Sequence, residues 1–218
     1  MKPYYQDDAV TIYHGDCREI VPELGKFDLL LTDPPYGIAL NTDGRRFSGG
    51  KAGHISKYGN GQGTGAGAPI VNDGEEFDPS FLLDYGESQI IWGWNNFPDK
   101  LPRGACLVWI KRLDPAFGSF LSDAELAWYS NGHGVYCKRD LSNNAIANER
   151  VHPTQKPVGL MQWCIEKAGD AQTILDPFAG SGTTGRAAKD LGRKATLIEI
   201  EEKYCEIAAN RMRQEVLL

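Results

Sequence analysis

Asp33-Pro34-Pro35-Tyr36 stands directly behind the apolar run from Phe27 to Leu31. A carboxylate, two prolines and an aromatic ring at the tip of a buried strand present a rigid polar edge beside a flat stacking surface. Those parts suit a planar ring that carries an amine. The prolines fix the local backbone and leave neither position an amide proton. Group transfer to an exocyclic aromatic amine is difficult because the nitrogen lone pair is delocalised into the ring. The Asp33 carboxylate and the Pro34 carbonyl can each accept one amine hydrogen, which encourages a pyramidal nitrogen and aims its lone pair. Tyr36 can stack on a base taken out of a helix, since chemistry on a paired base requires flipping. An Asp-Pro turn alone would explain the prolines, but not their place at the end of a buried strand.

A second segment, Ile174-Leu175-Asp176-Pro177-Phe178-Ala179-Gly180-Ser181-Gly182-Thr183-Thr184-Gly185, reads as strand, tight glycine loop and helix start. Bare glycines let a ligand approach the backbone, and the helix N-terminus offers unpaired amides. No lysine follows the glycines, so this is not a Walker loop. Nicotinamide and flavin dinucleotides use similar loops, and the segment alone does not choose among them. Glu199 ends the next strand, where a carboxylate can accept hydrogen bonds from both ribose hydroxyls. The alternative is a helix-start cap in an exposed position. Asp16 follows Gly15 at the end of another short strand and could accept an adenine amino group. Capping the helix that follows is an equally good account of it.

The elements that must position these residues alternate. Strands are expected over Val10 to Tyr13, Phe27 to Thr32, Glu87 to Trp92, Ala105 to Ile110, Thr173 to Asp176 and Ala195 to Ile200. The Phe27 strand is apolar on both faces, as in the middle of a parallel sheet. Ala124 to Tyr129 and Gly134 to Lys138 read as an antiparallel pair joined through Ser130-Asn131-Gly132. Helices are expected from Cys17 to about Leu24, from Lys156 to about Ala168 with Pro157 as a first helical residue, over Thr183 to Asp190, and over Glu201 to Glu215. Gly192 suits a helix C-cap. Alternating strand and helix predicts an α/β sandwich with a mainly parallel sheet.

With 218 residues, 41% hydrophobic and 24% charged, the chain reads as one domain with an ordinary core. It shows no signal peptide and no run of about 18 apolar residues, so a cytoplasmic protein is expected. Cys17, Cys106, Cys137, Cys164 and Cys205 lack the paired spacing of a zinc site. Buried free thiols are the better reading, and no metal is expected. The formal charge of −6 excludes a broadly basic nucleic-acid coat but not a local one. The stretch from Gly37 to Gly74 holds eleven glycines, too few side chains to rigidify itself, which predicts a mobile substrate loop. Its Arg45, Arg46, Lys51 and Lys57 face a single acid, Asp43, between Ala39 and Ile70. Lys100, Arg103, Lys111 and Arg112 form a weaker basic region.

Taken together, the motifs resemble those of the amino-group (N6-adenine/N4-cytosine) DNA methyltransferases that use S-adenosylmethionine. Asp33-Pro34-Pro35-Tyr36 resembles their catalytic signature, and Asp176-Pro177-Phe178-Ala179-Gly180-Ser181-Gly182 their cofactor loop. His152-Pro153-Thr154-Gln155-Lys156-Pro157 matches a segment that helps hold the methionine end of the cofactor. The catalytic segment precedes the cofactor loop, as in the beta group of the family. The resemblance implies catalytic roles for Asp33, Pro34, Pro35 and Tyr36. It implies cofactor contacts from Asp16, Cys17, Lys156, Asp176, Phe178, Gly180, Ser181, Gly182, Thr183 and Glu199. It also implies a Rossmann-like, circularly permuted fold with a seven-stranded sheet, one strand antiparallel, that sets Asp33 beside the Gly180 loop.

Adenine is the expected target, because the family has Asp-Pro-Pro-Tyr more often in adenine enzymes and Ser-Pro-Pro-Tyr more often in cytosine ones. The interval from Ser130 to Val151, where relatives carry a target-recognition region, is short. Sequence reading then falls to the Gly37–Gly74 loop and its four cations on double-stranded DNA, and either reduced selectivity or homodimerisation follows. The small size fits a phage or solitary enzyme as well as a restriction partner. The alternatives are cytosine-N4 methylation, an RNA or protein-amide methyltransferase of the same fold, and a non-catalytic DNA-binding module. A nicotinamide oxidoreductase would leave Asp33-Pro34-Pro35-Tyr36 without a task.

Overall fold

Phe27–Thr32 lies near the centre of the sheet, and its side chains show why. Leu29 and Leu31 enter one core cluster while Leu30 enters the other, and none of the three is exposed to solvent. Each such leucine contributes roughly 2 kcal/mol of apolar burial, so this strand is stable only when both faces are covered.

The computed structural model describes residues 1–38, 74, 76–118, 122–141 and 155–214. In chain order the strands are β1 (Tyr5–Gln6), β2 (Val10–His14), β3 (Phe27–Thr32), β4 (Gly86–Trp92), β5 (Ala105–Ile110), β6 (Ala124–Tyr129), β7 (Val135–Arg139), β8 (Thr173–Asp176) and β9 (Lys194–Glu199). The helices are α1 (Cys17–Ile20), α2 (Val158–Lys167), α3 (Thr183–Asp190) and α4 (Glu202–Arg213). Short 3-10 turns fill Val21–Glu23, Pro79–Tyr85, Trp94–Asn96 and Asp114–Ala116. None of the described helices is long and apolar enough to cross a membrane.

The strands form one mixed sheet in the order β1-β2-β9-β8-β3-β4-β6-β5-β7. Among the described residues this corrects the expected seven strands to nine. The seven consecutive strands from β2 to β5 carry the expected arrangement, with β6 alone running against β4 and β5. The additions are both edge strands. β1 folds back antiparallel on β2 because Asp7 binds the amides of Ala9 and Val10 at 2.9 and 2.7 Å, closing a tight turn. β7 pairs parallel with β5, so the expected hairpin between it and β6 does not form. A turn with Gly132 at φ +82° reverses the chain, but β5 takes the place a hairpin partner would have had.

Helix ends follow local chemistry. Pro157 caps α2 with extended backbone (ψ 142°) rather than forming its first turn. Gly192 takes φ +67° after α3, and the amides of Gly192 and Arg193 return to Lys189 and Ala188, which satisfies terminal carbonyls. α3 packs tightly on β9 because Gly185 has no side chain: a β-carbon there would lie 2.6 Å from Leu197 Cδ1. The α2–α4 layer covers one face of the sheet through Leu160, Ala187 and Ala208. Cys17, Ile20, Leu82 and Phe97 cover the other.

Candidate active site

β8 and β3 are neighbours, yet from β8 the chain continues to β9 on one side and from β3 to β4 on the other. Ligands of open α/β sheets bind where strand order diverges in this way, beyond the carboxyl ends. Two loops meet at that crevice. Asp33 to Tyr36 leave β3, and Pro177 to Gly182 lead from β8 into α3. Asp33, Lys156, Asp176, Phe178, Gly180 and Ser181 line one cleft, together with Thr183 and Gln155. Residues more than 140 positions apart in sequence thus share a wall, as Thr32 also shows by donating its hydroxyl to Asp176 at 2.8 Å.

The glycine loop is built for close approach. Gly180 and Gly182 have φ of +50° and +78°, and a β-carbon at Gly182 would sit 2.7 Å from the Ala208 β-carbon. Asp176 anchors the loop from beneath, accepting from Thr184 Oγ1 at 2.5 Å and from the Phe178 amide at 3.1 Å. Phe178 packs edge-on against Phe77, with ring centres 5.5 Å apart. Ser181 donates to Gln155 Oε1 at 3.2 Å, tying the loop to the segment ahead of α2. Arg211 donates to Thr183 Oγ1 at 2.9 Å.

Glu199 is 8% exposed, more buried than its charged surroundings in sequence suggest. Its two oxygens accept from the amides of Gly180 and Glu201, both at 2.8 Å. From the tip of β9 it therefore braces the loop and caps the start of α4; it is not among the residues lining the cleft. His14 of β2 pairs with Glu199 in register, which brings Gly15 and Asp16 to the neighbouring strand tip. Asp16 caps α1 through the Arg18 amide at 2.8 Å, and Cys17 is buried as the first helical residue.

A family model described as DNA methylase matches residues 107–210. M2.DpnII of Streptococcus pneumoniae, a Type II methyltransferase, is 51% identical over an alignment spanning 98% of this chain and 93% of the relative. The chain belongs to the amino-group DNA methyltransferases. Its methyl donor is S-adenosylmethionine. Two solved structures share the fold. TTHA0409 of Thermus thermophilus, solved in complex with S-adenosylmethionine, superposes with a TM-score of 0.58 at 19% identity, over 96% of this chain and 98% of that one. The cytosine-N4-specific PvuII DNA methyltransferase gives 0.58 at 16%, over 100% and 91%.

At the methyltransferase's Asp33 the structure adds partners that the motif does not contain. Asp33 Oδ1 accepts from the Tyr36 hydroxyl at 2.5 Å, and Oδ2 lies 2.6 Å from Lys156 Nζ. Lys156 is 4% exposed, and its ammonium also meets Glu125 Oε2 at 2.9 Å and the Tyr36 hydroxyl at 3.3 Å. Trp92, Tyr36 and Trp109 surround it, their ring centres 5.5 to 6.0 Å away. Glu125 of β6 is held in turn by Lys111 at 2.7 Å.

The electrostatics follow from this packing. Burial pushes the Asp33 carboxyl above its ordinary range, opposed by the Lys156 ammonium. For Glu125, burial acts upward, but the ammoniums of Lys156 and Lys111 win and bring it down to about 2. Burial disfavours the charge on Lys156, yet Asp33 and Glu125 carry it well above the usual lysine value. Burial and the Asp33 charge hold Tyr36 as a neutral phenol. Burial lifts Asp176 to about 6 despite its three hydrogen bonds.

The methyltransferase's cleft therefore brings together the expected Asp33, Asp176, Gly180, Ser181, Thr183 and Lys156. Lys156 was expected at the cofactor's methionine end, and its ammonium is bonded to Asp33. Tyr36 lies against Gly93, the residue after β4, which the sequence did not single out. The sequence does not mark Glu125 either, and it shows Lys111 only as one charge of a basic region. Arg45, Arg46, Lys51 and Lys57, the glycine-rich loop that carries them, and His152 to Thr154 lie outside the described residues.

Proposed function

We propose that this enzyme methylates the exocyclic amine of adenine, flipped out of double-stranded DNA, with Asp33 as the acceptor of an amine hydrogen. The observation that carries the reading is the shared cleft of Asp33 and the Gly180–Gly182 loop at the sheet's switch point. S-adenosylmethionine supplies an electrophilic methyl on a sulfonium. The residues fit that group: bare glycines and the α3 N-terminus suit its methionine end, where Ser181, Thr183 and Lys156 stand. Glu199 at the tip of β9 would take the ribose hydroxyls, and Asp16 beside Cys17 the adenine amine. Asp176 and Phe178 would shape the pocket floor.

Asp33 and the Pro34 carbonyl draw the two amine hydrogens out of the ring plane, leaving the nitrogen lone pair free for the methyl. Pro35 holds the turn and Tyr36 stacks on the base. After transfer the nitrogen carries a surplus proton, and the Asp33 carboxylate takes it; burial has already raised its proton affinity. Arg45, Arg46, Lys51 and Lys57 would contact DNA phosphates, the default partner of such cations.

The choice of adenine rests on aspartate at position 33, because adenine and cytosine present their amines in the same local geometry. Duplex DNA methylated with labelled donor and digested to nucleosides tests it by mass spectrometry. N6-methyladenine is expected. N4-methylcytosine would reverse the base, and unlabelled DNA from cofactor-binding protein would contradict the reading.

A further inference from the structure

The Asp33 carboxylate is the first member of a part-buried chain of alternating charge, centred on the buried Lys156. Lys156 bridges it to Glu125, and Glu125 is bridged to Lys111. The chain gathers one residue each from the β3 tip, the segment before α2, strand β6 and the end of β5. All three Lys156 protons have an acceptor, in Asp33, Glu125 and Tyr36. Three aromatic rings surround the ammonium, and Lys156 is almost wholly buried, so few waters reach it.

We propose that Glu125 is a positioning residue for methyl transfer, holding the Lys156 ammonium so that Asp33 keeps an acceptor oxygen for the target amine. The inference rests on the reading of Asp33 given above. Its physical basis is competition. A lysine with Asp33 as its one carboxylate partner would move fully onto it, and the amine would have to displace that contact. A second carboxylate 2.9 Å from the same nitrogen divides the ammonium between two anions. It also offsets the lysine's effect on Asp33, so the carboxylate stays basic enough to receive the proton released by the methylated amine. Lys111 binds the other oxygen of Glu125 and so fixes its rotamer.

The groups that face Asp33 are the Tyr36 hydroxyl on its own loop, Lys156 ahead of α2, Glu125 on β6 and Asp176 on β8. Of these, Glu125 raises the proton affinity of Asp33, while Lys156 and the Tyr36 hydroxyl lower it; Lys111 acts on it through Glu125. Charge removal must then act with opposite signs at the two ends of the outer pair. Glu125→Gln removes an anion and lowers the Asp33 titration midpoint by about one pH unit. Lys111→Met removes a cation and moves it upward. A merely structural role would lower thermal stability in both variants without this opposition.

The test follows the side-chain carboxyl carbon of Asp33 by NMR titration in both variants and in Glu125→Asp, with Asp33→Asn giving the assignment. In parallel, kcat for methyl transfer to duplex DNA is measured across pH. Glu125→Gln is expected to lose about tenfold in kcat, less than the ~100-fold or more that removing an acid–base group itself costs. Its acid limb should move down with the carbon titration, and Glu125→Asp should restore both. Lys111→Met alters the outer, half-exposed end of the chain and tests the sign should Glu125→Gln fail to fold. Unmoved titrations with kcat within about twofold of wild type would overturn the proposal. Methyl transfer that survives Asp33→Ala would instead overturn the role of Asp33, and the carbon titration would still decide that of Glu125.

Discussion

Tyr36 lays its ring against the bare α-carbon of Gly93, in space that a β-carbon at residue 93 would have to occupy. Gly93 also holds φ +84°, which L side chains rarely adopt. The aromatic ring beside Asp33 is thus placed by the glycine that follows β4. Gly93→Ala is expected to destabilise the fold by about 1–3 kcal/mol and to push the Tyr36 ring from its seat. Urea unfolding reads the first effect. Fluorescence of 2-aminopurine at the target position reads the second, as weakened capture of the flipped base.

The cofactor loop makes a parallel prediction. Gly182→Ala forces a β-carbon against Ala208 at a backbone angle of +78°. A loss of about 1–3 kcal/mol in stability is expected. Cofactor affinity by calorimetry should fall with it, because the same turn starts α3.

Stability should depend on acid in two opposed ways. Glu125 and Asp7 are brought down to about 2 in the folded chain, from ordinary values near 4, so their contribution is complete above about pH 4.5 and lost as pH falls toward 2. Asp176 is raised to about 6, so folding favours its protonated form; that contribution is present below about pH 4 and lost as pH rises through 6. Urea midpoints should therefore climb from pH 2 to about 4.5, with Asp176 opposing any further gain up to about 6. Glu125→Gln should flatten the climb, and Asp176→Asn should remove the opposing slope.

Where burial and turn chemistry coincide, the sequence reads directly into the fold. Phe27–Thr32, Thr173–Asp176 and Thr183–Asp190 form with the expected boundaries. Their apolar runs are closed by proline, by glycine or by a cap. The pairing of β6 and β7 failed because Ser130-Asn131-Gly132 reverses the chain equally well for a hairpin or a crossover. β1 was missed because two residues carry no period. In the site, Asp33 and the glycine loop are legible because each is a local motif. Glu125 and Lys111 are not, since a charge on a strand normally reads as its solvent face. Only tertiary packing brings the buried Lys156 between them and Asp33. Gly93 looks like a strand end until Tyr36 fills the space beside it.

The proposed role of Asp33 is to accept the amine hydrogen in the cleft it shares with the Gly180–Gly182 loop. Single-turnover methyl transfer by Asp33→Ala, with S-adenosylmethionine binding measured by calorimetry on the same protein, tests this directly. The variant should bind cofactor within about tenfold of wild type and lose at least about 100-fold in methyl transfer. Transfer at the wild-type rate by a variant that binds cofactor would contradict that role.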